Sequence, residues 1–411
     1  MERKYKDSGI EWIGKIPETW EVLPHKRIMR KVKEICYTYN GEDIISLTTN
    51  GVIVRDLSAG GKMPTTFDGY QYVHPGNLLL CLFDIDVTPR CIGLIKNEGL
   101  TSPAYSQFKL VREDAYAPYY DYLLKYIDDE KCFLHLSKNL RSSLTEEDFG
   151  FINSILPSVS EQQSISIFLD EKCGEIDSLI ALQEQMIEKL KAYKQSVITE
   201  AVTKGLNPNA KLVPSGIDWI GDIPEGWEVC RFKSYIRLHN EKCSETAAFK
   251  VNLENIESKS GRFIPTDSKY EGEGTSFRKG DVLFGKLRPY LAKVFAPETE
   301  GSAIGDIYVF RPTTRIDTDF LKYTLLADTF VTIVDSSTYG TKMPRANWEF
   351  ISCVPIVIPL LSEQQNIVLY LDEKCAGIDR LISLKQQKIE SLKDYKKSVI
   401  YEAVTGKTII E

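Results

Sequence analysis

Residues 156–205 read LPSVSEQQSISIFLDEKCGEIDSLIALQEQMIEKLKAYKQSVITEAVTKG, and residues 358–407 read IPLLSEQQNIVLYLDEKCAGIDRLISLKQQKIESLKDYKKSVIYEAVTGK, with about 30 of 50 positions identical. After Pro157 and Pro359 neither stretch contains proline. Apolar residues recur at helical spacing at Ile176, Leu179, Ile180, Ile187, Leu190 and Val197, and again at Ile378, Leu381, Ile382, Ile389, Leu392 and Val399. About 44 unbroken residues at a rise of 1.5 Å make a helix on the order of 65 Å long. A helix of that length with a single apolar stripe needs a partner. The economical partner is the other copy, packed antiparallel as a coiled coil; the alternative is that each helix covers its own domain. Gln183 and Lys194 fall within the stripe and interrupt strict heptad packing. Ser160 with Gln163, and Ser362 with Gln365, have the S-x-x-Q spacing of a capping box and predict where each helix begins.

A second repeat precedes each of these stretches. Ser8–Val22 reads SGIEWIGKIPETWEV and Ser215–Val229 reads SGIDWIGDIPEGWEV, differing only at the fourth, eighth and twelfth positions. Between the two repeats lie residues 24–155 and 231–357, which share little identity but are both built of short β-favouring runs broken by Gly, Pro, Asn and Asp. Examples are Asn77–Phe83, Cys91–Ile95, Asp281–Phe284 and Ile307–Phe310. The organisation is therefore motif, variable domain and long helix, written twice. The expected fold is α+β: two mixed α/β domains, residues 1–157 and 207–359, separated by conserved helices at 158–206 and 360–411, with a pseudo-two-fold internal repeat. Trp12, Trp20, Trp219 and Trp227 recur unchanged while the domains differ, so they are expected to anchor each domain's start on the frame rather than to stack on a ligand.

Composition narrows the function by exclusion. The chain has 411 residues, 43% hydrophobic and 27% charged, the profile of a folded globular protein. No apolar run is long enough to span a bilayer and the start is charged, so a cytoplasmic protein is expected. Nine scattered cysteines without a C-x-x-C pair fit a reducing compartment. The net charge of -7 excludes indiscriminate nucleic-acid binding by the chain as a whole. P-loop, dinucleotide, zinc-protease and esterase signatures are missing, and four isolated histidines offer neither a triad nor a metal cluster. The D-x-K triplets at Asp129–Lys131, Asp170–Lys172 and Asp372–Lys374 resemble nuclease sets, but two of them sit on the expected helices, where solvated charge is the ordinary reading. No catalytic residue, metal site or cofactor is assigned to the chain.

With these motifs in order, the chain resembles the specificity subunit of Type I restriction-modification systems. The resemblance rests on W-I-G-x-I-P-x-x-W at Trp12–Trp20 and Trp219–Trp227, on S-E-Q-Q at 160–163 and 362–365, and on the doubled helices. It implies a non-catalytic subunit whose two target-recognition domains each read one half of a split site in double-stranded DNA. It further implies helices that act as a ruler and dock two modification (adenine methyltransferase) subunits, to which ATP-dependent restriction (translocase and nuclease) subunits add. S-adenosylmethionine, ATP and magnesium would then belong to the partners.

Reading bases requires cationic, amide or phenolic side chains on exposed loops. In the second domain the candidates are Lys286, Arg288, Tyr290 and Lys293 after a predicted strand, and Thr341, Lys342 and Arg345 in the stretch Tyr339–Arg345, where Gly340 and Pro344 suggest an exposed turn. The corresponding first-domain loops, Asp84–Arg90 and Ser137–Arg141, offer Arg90, Lys138, Asn139 and Arg141, with Lys62 in a glycine turn as a phosphate contact. Residues 231–357 carry 18 cations against 16 acids, and residues 24–157 carry 15 against 17. The second domain is therefore expected to dominate salt-dependent affinity.

Overall fold

The computed structural model describes residues 3–410, apart from 49–50, 60–63, 84, 87–91, 137–142, 244–248, 269, 271 and 339–341. The chain forms two compact units, Met1–Leu182 with Lys388–Glu411, and Gln183–Gln387. Each unit joins one α/β domain to part of each long helix, so the α+β class and the internal repeat expected from the sequence are both present.

In the first unit the opening motif folds as a hairpin, β1 (Tyr5–Asp7) with β2 (Lys15–Pro17), followed by β3 (Glu21–Pro24) and β4 (Met29–Val32). Further along come β5 (Leu78–Leu80), β6 (Ile92–Leu94), β7 (Ser106–Leu110), α1 (Ala117–Asp129) and β8 (Asn153–Leu156). The central sheet has the order β4-β7-β5-β6, antiparallel throughout, while β8 returns to pair with β3. β5 is three leucines, all fully buried, which is how a strand covered on both faces reads. The face of α1 formed by Tyr119, Tyr120, Leu123, Leu124 and Ile127 packs into the same core. After α2 (Val159–Lys204) the second unit repeats this plan. It has a hairpin of β9 (Leu212–Pro214) with β10 (Asp222–Pro224), then β11 (Glu228–Arg231) and β12 (Ile236–His239). These are followed by β13 (Val282–Gly285), β14 (Val294–Phe295), β15 (Ile307–Pro312) and β16 (Pro355–Ile358). The sheet order β12-β15-β13-β14 and the pairing of β11 with β16 match the first unit strand for strand.

The last long helix is α5 (Leu361–Val404), following the shorter α3 (Thr318–Leu326) and α4 (Asp328–Ser336). The starts of α2 and α5 differ from the capping expectation. Ser158 rather than Ser160 caps α2: its backbone N–H and hydroxyl reach Glu161 Oε2 at 3.2 and 2.8 Å, and Glu161 N returns to its hydroxyl at 3.4 Å. In α5 the same place is Leu360, and its carbonyl accepts from Glu363 N at 2.9 Å and Gln364 N at 3.0 Å. Pro157 and Pro359 put the turn two residues earlier than the S-x-x-Q spacing suggests, because proline fixes the extended approach.

The buried seam also differs in detail from the expected stripe. Ile165, Leu169, Cys173, Ile176, Ile187, Lys194 and Val197 are buried on α2, on one face at helical spacing. Leu179 and Leu381, expected inside, are about half exposed, at 47% and 50%. The polar residues in the seam are matched rather than disruptive. In the second unit Lys194 Nζ donates to both carboxylate oxygens of Asp379 at 2.8 Å, and Lys385 Nζ donates to Gln183 Oε1 at 3.2 Å. In the first unit Lys396 holds both oxygens of Asp177 at 2.7 Å. Lys194 and Lys396, like Asp177 and Asp379, occupy equivalent places in the two helices, so each unit carries one copy of the same ion pair. Each locks the register of antiparallel segments.

His25, at the end of β3, is fully enclosed and stacks on Phe149 at 4.4 Å, with Nδ1 3.2 Å from the Phe149 carbonyl and Nε2 unpaired. Burial pushes its pKa down to about 4, against a small opposing effect of that carbonyl. The unfolded chain takes up this proton near 6.5 and the folded chain only near 4. Acidification therefore favours unfolding: stability is flat above pH 6.5 on this account and falls between about 6.5 and about 4, by up to about 3 kcal/mol. Urea midpoints of the wild type and of His25→Phe should diverge across that window, the variant having the flatter profile.

Candidate nucleic-acid interface

The two repeated motifs turn out to be each other's partners. Trp20 Nε1 donates to Glu161 Oε1 at 3.1 Å, and Trp227 Nε1 donates to Glu363 Oε2 at 3.1 Å. The second tryptophan of each opening motif thus binds the glutamate of the S-E-Q-Q motif in its own unit, the anchoring role expected from its recurrence. Burial works against the Glu161 carboxylate, but the indole, Ser158 and Arg3 outweigh it and hold its pKa below the usual value. The next residue is a clamp. Gln162 Nε2 donates to the Asp114 and Pro157 carbonyls, both at 2.8 Å, and its Oε1 accepts from Tyr116 N at 2.7 Å. Gln364 does the same with Arg315, Pro359 and Asp317 at 3.0, 2.9 and 2.8 Å. About two turns further on, Tyr122 donates to Asp170 at 2.7 Å and Tyr323 to Asp372 at 2.6 Å. Burial, reinforced by the carboxylate, raises both phenol pKa values, so both remain protonated donors. Asp170 and Asp372, the helical members of the D-x-K triplets, are therefore ties between helix and domain. Among the described residues no group of three or more His, Cys, Asp and Glu forms a metal site.

On this frame the second domain brings together two loops that lie some fifty residues apart in sequence. β13 ends at Gly285, where a side chain would come within 2.8 Å of Leu253 and 3.1 Å of Lys293. A larger residue there would have to displace Leu253. Leu287 then bridges to Arg345; Arg288 N donates to the Pro344 carbonyl and Ala346 N to the Lys286 carbonyl, both at 2.8 Å. Asp306, just before β15, gathers the cations beneath: Arg345 Nε and a terminal nitrogen reach it at 3.2 and 2.9 Å, and Lys286 Nζ lies 3.5 Å away. Nothing in the sequence around Asp306 marks this role, because the acid lies in a plain Gly-Asp turn distant from both loops.

The remaining candidates divide by what their heads touch. Arg288 sits in the left-handed region with φ 52°, and its side chain is exposed, as are Tyr290 and Lys342. Arg288 thus presents an exposed cation on a backbone conformation that non-glycine residues rarely adopt. Lys293 faces the other way. Its Nζ donates to the Leu253 and Ile256 carbonyls at 2.5 and 2.8 Å, and burial lowers its pKa. Lys293 thus braces the loop from behind. Thr341 lies outside the described residues.

The first-domain candidates Lys62, Arg90, Lys138, Asn139 and Arg141 also lie outside the described residues. The bond that frames their two loops is described: Leu144 N donates to the Leu82 carbonyl at 2.8 Å, the counterpart of Ala346 N with Lys286 O. Asp86 is described and exposed.

Residues 224–394 match the profile of the Type I restriction modification DNA specificity domain. The specificity subunit of the Type I restriction enzyme EcoDI of Escherichia coli is 26% identical over 281 residues, covering 63% of this chain and 63% of the relative. The MjaVIII specificity subunit of Methanocaldococcus jannaschii is 25% identical over the same 63% shares, so the chain spans under two thirds of the length of these two relatives. The putative MjaX specificity subunit of that organism is 24% identical over 98% of this chain and 97% of its own. Among solved structures, one described as the structural basis of complex assembly and conformational transition of the Type I system aligns over 96% of this chain with a TM-score of 0.71 and 15% identity. The HsdS subunit from Thermoanaerobacter tengcongensis aligns over 96% with a TM-score of 0.53 and 14% identity. By motif, domain profile and fold, the chain resembles Type I specificity subunits along its length.

The division between free and committed cations has a measurable consequence. Lys293→Ala should lower stability by about 1–3 kcal/mol, the range for a lost hydrogen bond from a charged group, while Arg288→Ala should change it by under about 0.5 kcal/mol. Thermal melts of the two variants check both values.

Proposed function

On the strength of that likeness, we propose that the chain is the DNA-reading subunit of a Type I restriction-modification complex and performs no chemistry itself. Each domain reads one half of an asymmetric bipartite site in double-stranded DNA. The helices fix the number of unread base pairs between the halves and dock the methyltransferase subunits. The observation that carries this reading is a duplicated mounting with unlike contents. The Trp–Glu tie, the glutamine clamp and the Tyr–Asp tie occur once in each unit at matching positions. The loops held on that mounting differ in sequence between the units. Two different readers on equivalent supports suit two different half-sites, as paired half-site readers do generally.

Support for a duplicated partner comes from the outer helix faces. In the first unit Ile167, Leu179, Leu182 and Tyr395 are exposed; in the second, their equivalents Leu369, Leu381, Leu384 and Tyr193 are exposed. Large apolar residues left in water at the same four places in both units fit two copies of one partner rather than chance. The continuity of α2, 46 residues in one helix, is what a fixed spacer requires. Of the described residues, no helix is long and apolar enough to cross a membrane.

Mapping adenine methylation genome-wide in the native host with and without the gene tests the reading. Loss of one asymmetric, bipartite motif is expected; an unchanged map together with no DNA binding by the reconstituted complex would favour a protein-binding scaffold instead. Removing the free cations of the second domain, Arg288→Ala with Lys342→Ala, should reduce the slope of log affinity against log salt by about 2. An unchanged slope would take these two residues off the DNA.

A further inference from the structure

The second unit contains a connection that its first-unit counterpart lacks among the described residues. The loop Glu257–Arg262 is closed by Glu257 N on the Arg262 carbonyl at 3.0 Å and by the bridge between Ile256 and Phe263. At one end Arg262 donates to Asp379 Oδ2 at 2.6 Å, on α5, sharing the carboxylate that Lys194 holds. In its middle, Lys259 N donates to the Ala292 carbonyl at 3.1 Å, inside the recognition loop. Just before it, the Leu253 and Ile256 carbonyls hold Lys293 Nζ, at the end of that same loop. An unbroken series of short contacts therefore leads from Asp379 through residues 257–262 to the segment that presents Arg288 and Tyr290.

Backbone conformation marks the same junction independently. Of the four described non-glycine residues with positive φ, three meet here: Lys259 at 58°, Arg288 at 52° and Ala292 at 43°. Such conformations persist only where the surroundings over-determine them, and the contacts just named are those surroundings. In the first unit Asp177, the equivalent of Asp379, is bonded to Lys396, and among the described residues no first-domain side chain joins it. Its side chain is 58% exposed, against 20% for Asp379.

Resting on the reading that the loop Gly285–Lys293 contacts bases, we propose that Arg262 is a positioning residue for the second half-site. It fixes the recognition loop to α5, and the first half-site is read without such a tie. Arg262 touches no base. Its effect passes through Lys259 and Ala292 to the loop that does.

The test uses the full chain in complex with its methyltransferase subunits and duplexes carrying the mapped methylation motif, either intact or with single mismatches in one half. Arg262→Ala should lower discrimination against mismatches in the second domain's half about tenfold, leave the other half at the wild-type value, and speed amide exchange at Leu291 and Ala292. Arg262→Lys should recover most of the discrimination. Wild-type discrimination in both halves by Arg262→Ala, or an equal loss in both, would overturn the assignment. A wild-type complex that discriminates in neither half would overturn the DNA-reading function along with it.

Discussion

An indole N–H given to a glutamate at the first turn of a long helix, once in each unit, is the contact on which the rest is built. It joins the opening motif of each domain to the start of the helix that leaves that domain, so strand, domain and helix begin from one fixed point. Gly406 and Gly205 show how tightly the point is drawn. At both, φ is 72°, and a side chain would lie 2.7 Å from Trp20 and 3.0 Å from Trp227 respectively. The glutamine clamp follows at the next residue and the Tyr–Asp tie about two turns further along; the clamp satisfies the amide of a fully buried glutamine in each unit. The repeated face thus carries the same specific bonds in both units, and the unlike segments hang from it.

That division explains what the sequence disclosed. The repeats, the helices and the unlike domains were legible because each depends on local pattern: proline-free apolar periodicity, or a string copied at a fixed offset. The helix starts were misplaced by two residues because Pro157 and Ser158 act together, while S-x-x-Q spacing considers Ser160 alone. Leu179 and Leu381 were assigned inward because a stripe drawn from hydrophobicity cannot distinguish a buried seam from an exposed apolar face. The partner of each tryptophan was not legible at all, since Glu161 lies 141 positions from Trp20.

The proposed recognition loop of the second domain was legible in sequence only as composition. Arg288, Tyr290 and Lys342 stand out as cations and a phenol in loops, and all three are exposed. Lys293 shares their composition and neighbourhood but turns back onto two carbonyls, a difference that only the fold decides. Asp306 and Arg262 were passed over because their roles consist of distant partners. A basic loop in sequence is a mixture of contacts and braces, and the braces determine how rigidly the contacts are presented.

If the mounting is common and the readers are separable, one reader can be replaced without disturbing the other. The direct measurement is to exchange residues 231–357 for the corresponding segment of a related specificity subunit, leaving the Trp–Glu ties and both long helices intact, and to map the methylated motif. The account predicts that one half of the motif changes while the other half and the spacer stay as they were. A change in both halves, or in neither, would contradict it.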